Sequence, residues 1–390
     1  MVYRVLGLMS GSSLDGLDLC YVHFQETSGK WSYEIKQADC YAYSVDWANR
    51  LRQATELNAK EYMILHVEYG HYLGELVNRF LDENELAYQV QLIGSHGHTT
   101  FHLPSKKMTA QLGDGASLAA ETGINTVSDL RAMDLALGGQ GAPIVPIGER
   151  MLLGDYEYFL NLGGIANVSA NVESIPGSVG PSRNAAQSTT TIIAPVTVAF
   201  DVCPANRVLN LLSNEIGKEY DDKGQVAQSG SVQQELLAEL NQLEYYQLDF
   251  PKSLANDFGT DVLYPMIQKS GCSTADGMRT MVEHIVYQIK SSIEKLGNIH
   301  EGNARGEQKQ LLATGGGAFN NFLVKRLSES LQDLNIKVVI PEENVIKYKE
   351  ALIMGLMAVL RWREENNVFS SVTGASRDSI GGAVWIGQPW

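Results

Sequence analysis

Positive charge is scarce in this chain: 30 Lys and Arg stand against 45 Asp and Glu, a formal net charge of −15. No nucleic-acid partner is expected, because tracking a phosphate backbone needs a basic face. Cysteine is sparse too. Cys20, Cys40, Cys203 and Cys272 are scattered, with no Cys-x-x-Cys pair, which argues against a disulfide or zinc framework and for a reducing, cytoplasmic setting. Long apolar runs are missing. The most apolar stretch, 351–360, is about half the roughly 20 residues of a membrane span, so no membrane association is expected. The N-terminus opens apolar but meets Gly7, Gly11 and Asp15 without a cationic segment or cleavage site, and reads as strand and turn. Two nucleotide signatures are also lacking. There is no Gly-x₄-Gly-Lys-Ser/Thr, and no Gly-x-Gly-x-x-Gly opens a helix after a strand, so P-loop and Rossmann readings fail.

What is present is an ordinary globular composition, 44% hydrophobic and 19% charged, over 390 residues; that length sets two domains as the expectation. Residues 3–9 read as a strand, then the small-residue turn Ser10–Gly11–Ser12–Ser13–Leu14–Asp15–Gly16, then a second strand at 17–24. Leu65, Tyr69, Tyr72, Leu73, Leu76 and Phe80 recur at helical spacing and predict helix across 47–83. A short strand at 90–93 leads into the loop Gly94–Ser95–His96–Gly97–His98–Thr99. After a helix at 116–122 and a strand at 125–127, Leu137–Gly138–Gly139–Gln140–Gly141–Ala142–Pro143 reads as a domain junction.

The second half starts over in the same manner: strand 158–162, turn Gly163–Gly164–Ile165–Ala166–Asn167, and a strand from Val168. Residues 174–190, rich in Ser, Pro, Gly and Asn, read as a mobile loop at a hairpin tip. A strand at 196–200 ends at Asp201, and helices follow at 208–216 and 275–296. Strand 310–314 meets Gly315–Gly316–Gly317, then come a helix at 320–331, a strand at 338–340 and a buried helix at 350–362. Alternating strands and helices with a repeated hairpin opening define an α/β fold of two related domains.

Three strand-then-glycine junctions are the main chemical signal: Gly11 to Gly16, Gly163–Gly164 and Gly315–Gly317. Glycine lets backbone N–H groups crowd toward a phosphate, and the Ser12 and Ser13 hydroxyls add donors. His96, His98 and His102 form a His-x-His-x₃-His string, but nothing completes a zinc site, and the histidines read as loop residues serving shape or hydrogen bonding.

The three junctions resemble the plan of the actin, hexokinase and heat-shock chaperone ATPases, and Met9–Ser10–Gly11–Ser12–Ser13–Leu14–Asp15–Gly16 resembles the opening motif of 1,6-anhydro-N-acetylmuramic acid kinases. Other segments are similar to that family: Ser95–His96–Gly97–His98–Thr99, Gln111–Leu112–Gly113–Asp114, Asp134 with Ala136 to Pro143, Asn161 to Asn167, and Ser371–Val372–Thr373–Gly374–Ala375–Ser376. The resemblance implies two actin-like (ribonuclease H-like) domains flanking a nucleotide cleft. The N-terminal domain would be 1–132 plus about 368–390, and the C-terminal domain 133–367, with the catalytic Asp and the adenosine site.

The implied activity is ATP-dependent phosphorylation of the anhydrosugar with hydrolytic opening of its ring, by a cytoplasmic homodimer using Mg²⁺. ATP would be held by Gly11, Ser12, Ser13, Leu14, Asp15, Gly16, Asn161, Gly163, Gly164, Asn167, Gly315, Gly316 and Gly317, with Asp15 orienting waters on Mg²⁺ or serving only as a turn residue. Thr99, Gln111, Asp114, Arg131 and Glu350 would face the sugar. Arg131 is placed to meet a lactyl carboxylate, or else to pair with Asp129 or Asp134; Glu350 has the alternative of a first-turn or capping acid.

Asp201 would be the general base that deprotonates water, its other reading being a helix N-cap. Its motif, Asp201–Val202–Cys203–Pro204–Ala205–Asn206, stands where the family has Asp-Thr-Gly-Pro-Gly-Asn. His98 stands at a family Gln, and Pro251–Lys252–Ser253–Leu254–Ala255–Asn256–Asp257 at Pro-Lys-Ser-Thr-Gly-Arg-Glu. Two other functions remain open: a kinase for another anhydrosugar such as levoglucosan, or a catalytically weakened ATP-binding regulator.

Overall fold

The computed structural model describes residues 1–11, 13–172, 196–250, 252–255, 257–297 and 308–387; the loop expected at 174–190 lies outside them. The strands in chain order are β1 (Val2–Ser10), β2 (Gly16–Thr27), β3 (Lys30–Ala42), β4 (Leu92–Leu103), β5 (Met108–Leu112) and β6 (Asn125–Ser128). They continue with β7 (Tyr158–Leu162), β8 (Ile165–Val172), β9 (Val196–Pro204), β10 (Lys309–Thr314), β11 (Ile336–Val339) and β12 (Ala383–Trp385). Two compact units result. The first is Met1–Gly154 with Tyr348–Trp390, the second Asp155–Lys347.

In the first unit the sheet order is β12-β6-β4-β1-β2-β3, with β5 paired to β4. β1 runs antiparallel to β2 and parallel to β4. The buried run Val5–Leu8 makes β1 a central strand covered on both faces, whereas β3 alternates exposed and half-buried residues as a partly solvated strand does. Leu6 and Leu8 pack with Leu65, Tyr69, Leu73 and Phe80 of the helix Ala59–Glu83. Val5, Val22 and Phe24 pack on the opposite face with Ala351–Leu360 of the helix Glu343–Trp362. That helix lies directly on the sheet: a Cβ added at Gly7 would stand 1.8 Å from the Ala351 carbonyl oxygen, and one at Gly94 2.3 Å from that of Met354.

The second unit repeats the plan. Its order is β11-β10-β7-β8-β9, with β7–β8 and β8–β9 antiparallel and β7–β10 and β10–β11 parallel. Counted from its own first strand the second sheet reads 3-2-1-4-5; the first reads 3-2-1-4-6 with β12 beyond, and matches once β5, which only pairs with β4, is set aside as an addition to the ribonuclease H-like arrangement expected. Its core joins Leu160, Val168 and Val202 to Met281, Ile285 and Ile289 of the helix Thr274–Gly297.

Several expectations need correction. The helix expected over 47–83 is two, Val45–Arg52 and Ala59–Glu83, because Asn58 Oδ1 accepts from the N–H groups of Lys60 and Glu61 and starts a new helix. The loop expected at 94–99 is strand. Gly97, at φ +69, absorbs a bulge that shifts the β1–β4 register between Leu8↔Ser95 and Ser10↔His98. The 137–143 glycine stretch is no domain junction, since Leu135, Ile144 and Ile147 are buried in the first unit and the units divide at Gly154/Asp155. The return crossing falls at Lys347/Tyr348, not near 367/368, and Tyr348 (φ −114, ψ 15) interrupts the geometry of the helix Glu343–Trp362. Tyr348 thereby separates two helical segments, and Glu350 stands in the first turn of the second, as its first-turn alternative had it. Asp201 is inside β9, which runs on to Pro204, and the next helix, Asn206–Glu215, has Ala205 at its N-cap, so the capping reading of Asp201 fails.

Candidate active site

The first glycine turn joins β1 to β2. Its last glycine is forced by packing: a Cβ at Gly16 would meet the Tyr41 carbonyl oxygen at 2.6 Å, where β3 passes. Leu14 adopts φ +58 and donates its N–H to the Gly11 carbonyl at 3.4 Å. Asp15 Oδ1 accepts from Ser13 Oγ at 2.7 Å and from the Gly16 N–H at 3.0 Å, so Asp15 does shape its own turn. Those bonds occupy one oxygen and leave Oδ2. Ser12 lies outside the described residues. Among the described residues no cluster of three His, Cys, Asp or Glu side chains is arranged to hold a metal ion. Mg²⁺ delivered with a nucleotide keeps several waters and takes one or two carboxylates, a demand that the exposed Asp15 fits.

A buried polar chain runs from this turn to β4. Tyr43 donates to Ser10 Oγ at 2.8 Å and stands 2.7 Å from the Tyr69 hydroxyl; Ser10 Oγ is 3.3 Å from His98 Nδ1. With the Tyr43 proton spent on Ser10, Tyr69 donates to Tyr43, and the direction of the Ser10–His98 bond follows the His98 tautomer. On the neighbouring strand Thr99 faces Gln111, whose Nε2 donates to Thr99 Oγ1 at 3.2 Å and to Thr109 Oγ1 at 2.7 Å. Asp114 commits one of its carboxylate oxygens and keeps Oδ1, 3.9 Å from His66 Nε2. Its Oδ2 caps the helix Gly115–Thr122 by accepting from the Ser117 N–H at 2.8 Å and its hydroxyl at 2.5 Å.

Arg131 pairs with neither Asp129 nor Asp134. Its Nε donates to His96 Nε2 at 2.8 Å and its Nη1 to the Gly141 carbonyl at 2.5 Å. Asp134 organises the glycine stretch instead, Oδ2 accepting from the Gly141 N–H at 2.7 Å and Oδ1 from Thr373 Oγ1 at 2.6 Å. Burial lowers Arg131 to about 10, opposed by the charges of Glu350 and Asp134, so it stays cationic at neutral pH. Burial, with the adjacent Arg131 charge, pushes His96 down to about 3. Glu350 also acts on Asp18, whose carboxyl burial raises to about 6.

In the second unit the two remaining glycine turns meet at the ends of β7 and β10, where Thr314 lies beside Asn161. Gly315 takes φ +80, and a Cβ there would reach Asn161 Oδ1 at 2.4 Å; no other residue fits. The carbonyls of Gly163 and Gly164 accept the N–H groups of Asn206, Ala205 and Arg207, seating the helix Asn206–Glu215 on the turn. Asn167 lies opposite Asp201 in the β8–β9 register. Asp201 Oδ2 accepts from the Leu254 N–H at 2.9 Å and Ser253 Oγ at 3.2 Å; Oδ1 has no hydrogen-bond partner among the described residues. Burial raises the Asp201 pKa, the Leu254 N–H and Ser253 hydroxyl opposing it. A fixed, partly desolvated carboxylate with one free oxygen is suited to take a proton from water.

The structure thus brings Gly11, Ser13 to Gly16, Thr99, Gln111, Asp114, Arg131 and Glu350 into the first unit, and Asn161, Gly163, Gly164, Asn167, Asp201 and Gly315 to Gly317 into the second. Sequence reasoning missed Asp18 and the grip of His96 on Arg131; Ser10 and Ser253 stood inside quoted motifs but were given no role of their own.

A family model for anhydro-N-acetylmuramic acid kinase matches residues 3–183 and 185–387. Relatives carrying that name include one from Hydrogenovibrio crunogenus, 30% identical over 392 residues and 97% of each chain. Others come from Coxiella burnetii, 32% identical over 99% of this chain and 98% of the relative, and Aliivibrio fischeri, 31% over 98% and 99%. Among solved structures, the ADPNP-bound activator of 2-hydroxyisocaproyl-CoA dehydratase from Clostridium difficile aligns over 93% of this chain and 96% of its own at 11% identity and TM-score 0.44, too remote to carry an argument. The sequence matches do carry one, since they span both sheets and all three glycine turns: the chain belongs to the anhydro-N-acetylmuramic acid kinase family.

Proposed function

We propose that the protein phosphorylates 1,6-anhydro-N-acetylmuramic acid with ATP while water opens the anhydro ring, giving N-acetylmuramic acid 6-phosphate and ADP. The observation that carries this reading is Asp201, anchored through Oδ2, its Oδ1 without a hydrogen bond among the described residues and its pKa raised by burial. In the reaction Asp201 takes a proton from water, and the water oxygen bonds to the anomeric carbon. The bond from that carbon to O6 breaks, O6 bonds to the γ-phosphorus, and the bond to the bridging oxygen breaks to release ADP. Backbone N–H groups at Gly11 to Gly16, Gly163, Gly164 and Gly315 to Gly317, with Asn161 and Asn167, are assigned to the nucleotide. Mg²⁺, when bound, supplies charge neutralisation at the phosphates, with Asp15 as its protein partner.

Thr99, Gln111, Asp114 and Glu350 are assigned to the sugar, and Arg131 to the lactyl carboxylate; Asp114 caps a helix through Oδ2 alone, which leaves Oδ1 for the sugar. A cytoplasmic homodimer recycling cell-wall sugar fits the family and the cysteine usage, and among the described residues no helix is long and apolar enough to cross a membrane. The test is ADP release with 1,6-anhydro-N-acetylmuramic acid, with levoglucosan and with no sugar. Turnover is expected with the muramic sugar, and Asp201→Asn should lower kcat by about 10²–10⁴ while ATP still binds. The acid limb of kcat/KM should fall above the ordinary carboxylate range near 3.9, because the base must be ionised and burial raises its pKa. Levoglucosan as the better substrate, or tight ATP binding with no turnover of either sugar, would overturn the reading.

A further inference from the structure

We propose that His96 is a positioning residue for the acidic substrate: a neutral ring with its proton on Nδ1, it accepts the Nε–H of Arg131 and turns the rest of the guanidinium toward a carboxylate. This rests on the assignment of Arg131 to the lactyl carboxylate. The tautomer follows from two bonds. His96 Nδ1 lies 2.8 Å from the Gly97 carbonyl, which can only accept, so Nδ1 carries the proton. Arg131 Nε can only donate, at 2.8 Å, so Nε2 carries a lone pair. His96 is 4% exposed, and protonating it would set two donors against each other.

The choice of partners is what points to an anion. A structural arginine is normally met by Asp or Glu, and Glu350 and, less strongly, Asp134 are close enough to act on Arg131 electrostatically without bonding to it. Yet both Asp134 oxygens are turned to the Gly141 N–H and Thr373 Oγ1. Arg131 is instead fastened by an uncharged ring and a carbonyl, which fix its plane while no carboxylate among the described residues hydrogen-bonds to it. Nη2 makes no hydrogen bond among the described residues. An incoming carboxylate then meets a full charge already oriented, and little rotamer entropy remains to be lost on binding. Three separated segments serve this one arrangement: 95–97 through His96 and Gly97, 134–141 through Asp134 and Gly141, and Thr373.

The experiment compares 1,6-anhydro-N-acetylmuramic acid with 1,6-anhydro-N-acetylglucosamine, which has the same ring and no lactyl carboxylate. His96→Leu should raise KM for the acidic sugar about tenfold with kcat little changed, and leave affinity for the neutral sugar within about threefold. His96→Gln, which can return an acceptor near the position of Nε2, should restore most of the acidic-sugar affinity. Equal losses for both sugars, or none, would overturn the proposal. Arg131→Leu separates the two layers: if it spares the acidic sugar, the assignment of Arg131 falls and this inference with it. If it weakens that sugar while His96→Leu does not, only the role of His96 falls. Should His96→Leu fail to fold, ¹⁵N spectra of the wild-type ring decide, since a proton on Nε2 at neutral pH is incompatible with the proposal.

Discussion

Asp18 lies on β2 three residues beyond Asp15, and from β3 the Cys40 thiol bonds to it. Burial raises its carboxyl from 3.8 to about 6, the Cys40 thiol opposing and the charges of Asp15 and Glu350 adding to the rise. A folded pKa above the unfolded one means the folded chain binds more protons, so this contribution to stability is whole below pH 3.8 and lost as pH rises through 6. Asp18→Asn should remove the loss: the variant is expected to be more stable at pH 8 by on the order of 1 kcal/mol, and no more stable at pH 4. Urea titration at the two pH values checks it, and equal shifts at both would contradict the linkage. At this scale the sequence revealed which residues carry charge or flexibility, but not what fastens them. Asp201 was recognisable as a carboxylate near a glycine turn, whereas Ser253 and Leu254, which hold it, lie more than 50 residues away in sequence. The three histidines invited a metal reading because spacing alone cannot show that one of them grips an arginine 35 residues on.

The elements were legible where the apolar pattern had one cause and obscured where two constraints met. β1 and β2 stood out because Leu6, Leu8, Leu17 and Leu19 are all buried in one core. β4 was cut short at Gly94 because glycines there read as a turn. Gly94 in fact makes room for the Met354 carbonyl, and Gly97 for the Leu112 carbonyl, 2.4 Å from an added Cβ. Gly7 belongs to the same contact between sheet and helix. An added methyl would sit 1.8 Å from a backbone oxygen that cannot rotate away, so Gly7→Ala should destabilise the first unit by about 3 kcal/mol or more. Gly355→Ala is the contrast. Its nearest neighbour is the Phe24 ring at 3.3 Å, and alanine favours the helix, so the net change should stay within about 1 kcal/mol. Thermal and urea unfolding of both variants decide the matter, and comparable losses would mean that the helix is free to shift on the sheet.

On the scale of the whole chain, the duplication was audible only in the two hairpin openings, since the units share topology and almost no local sequence. Their closing halves differ in what covers the sheet. The second unit is one continuous segment with its own core, in which the helix Thr274–Gly297 packs against β8 and β9. The first is completed only when the chain returns at Tyr348, because Ala351–Leu360 supplies the apolar surface for Val5, Val22 and Phe24. Cutting the chain at the two crossings should therefore have unequal effects. Residues 155–347 expressed alone lose helix continuity at one end and no core partner, and should unfold cooperatively on heating with native-like circular dichroism. Residues 1–154 alone leave that face of the sheet bare and should be insoluble or bind hydrophobic dyes, recovering when 348–390 is joined through a short flexible linker. If instead 1–154 folds cooperatively by itself and 155–347 does not, the helix after Tyr348 is dispensable to the first sheet, and the glycines at 7 and 94 lose the reason given for them.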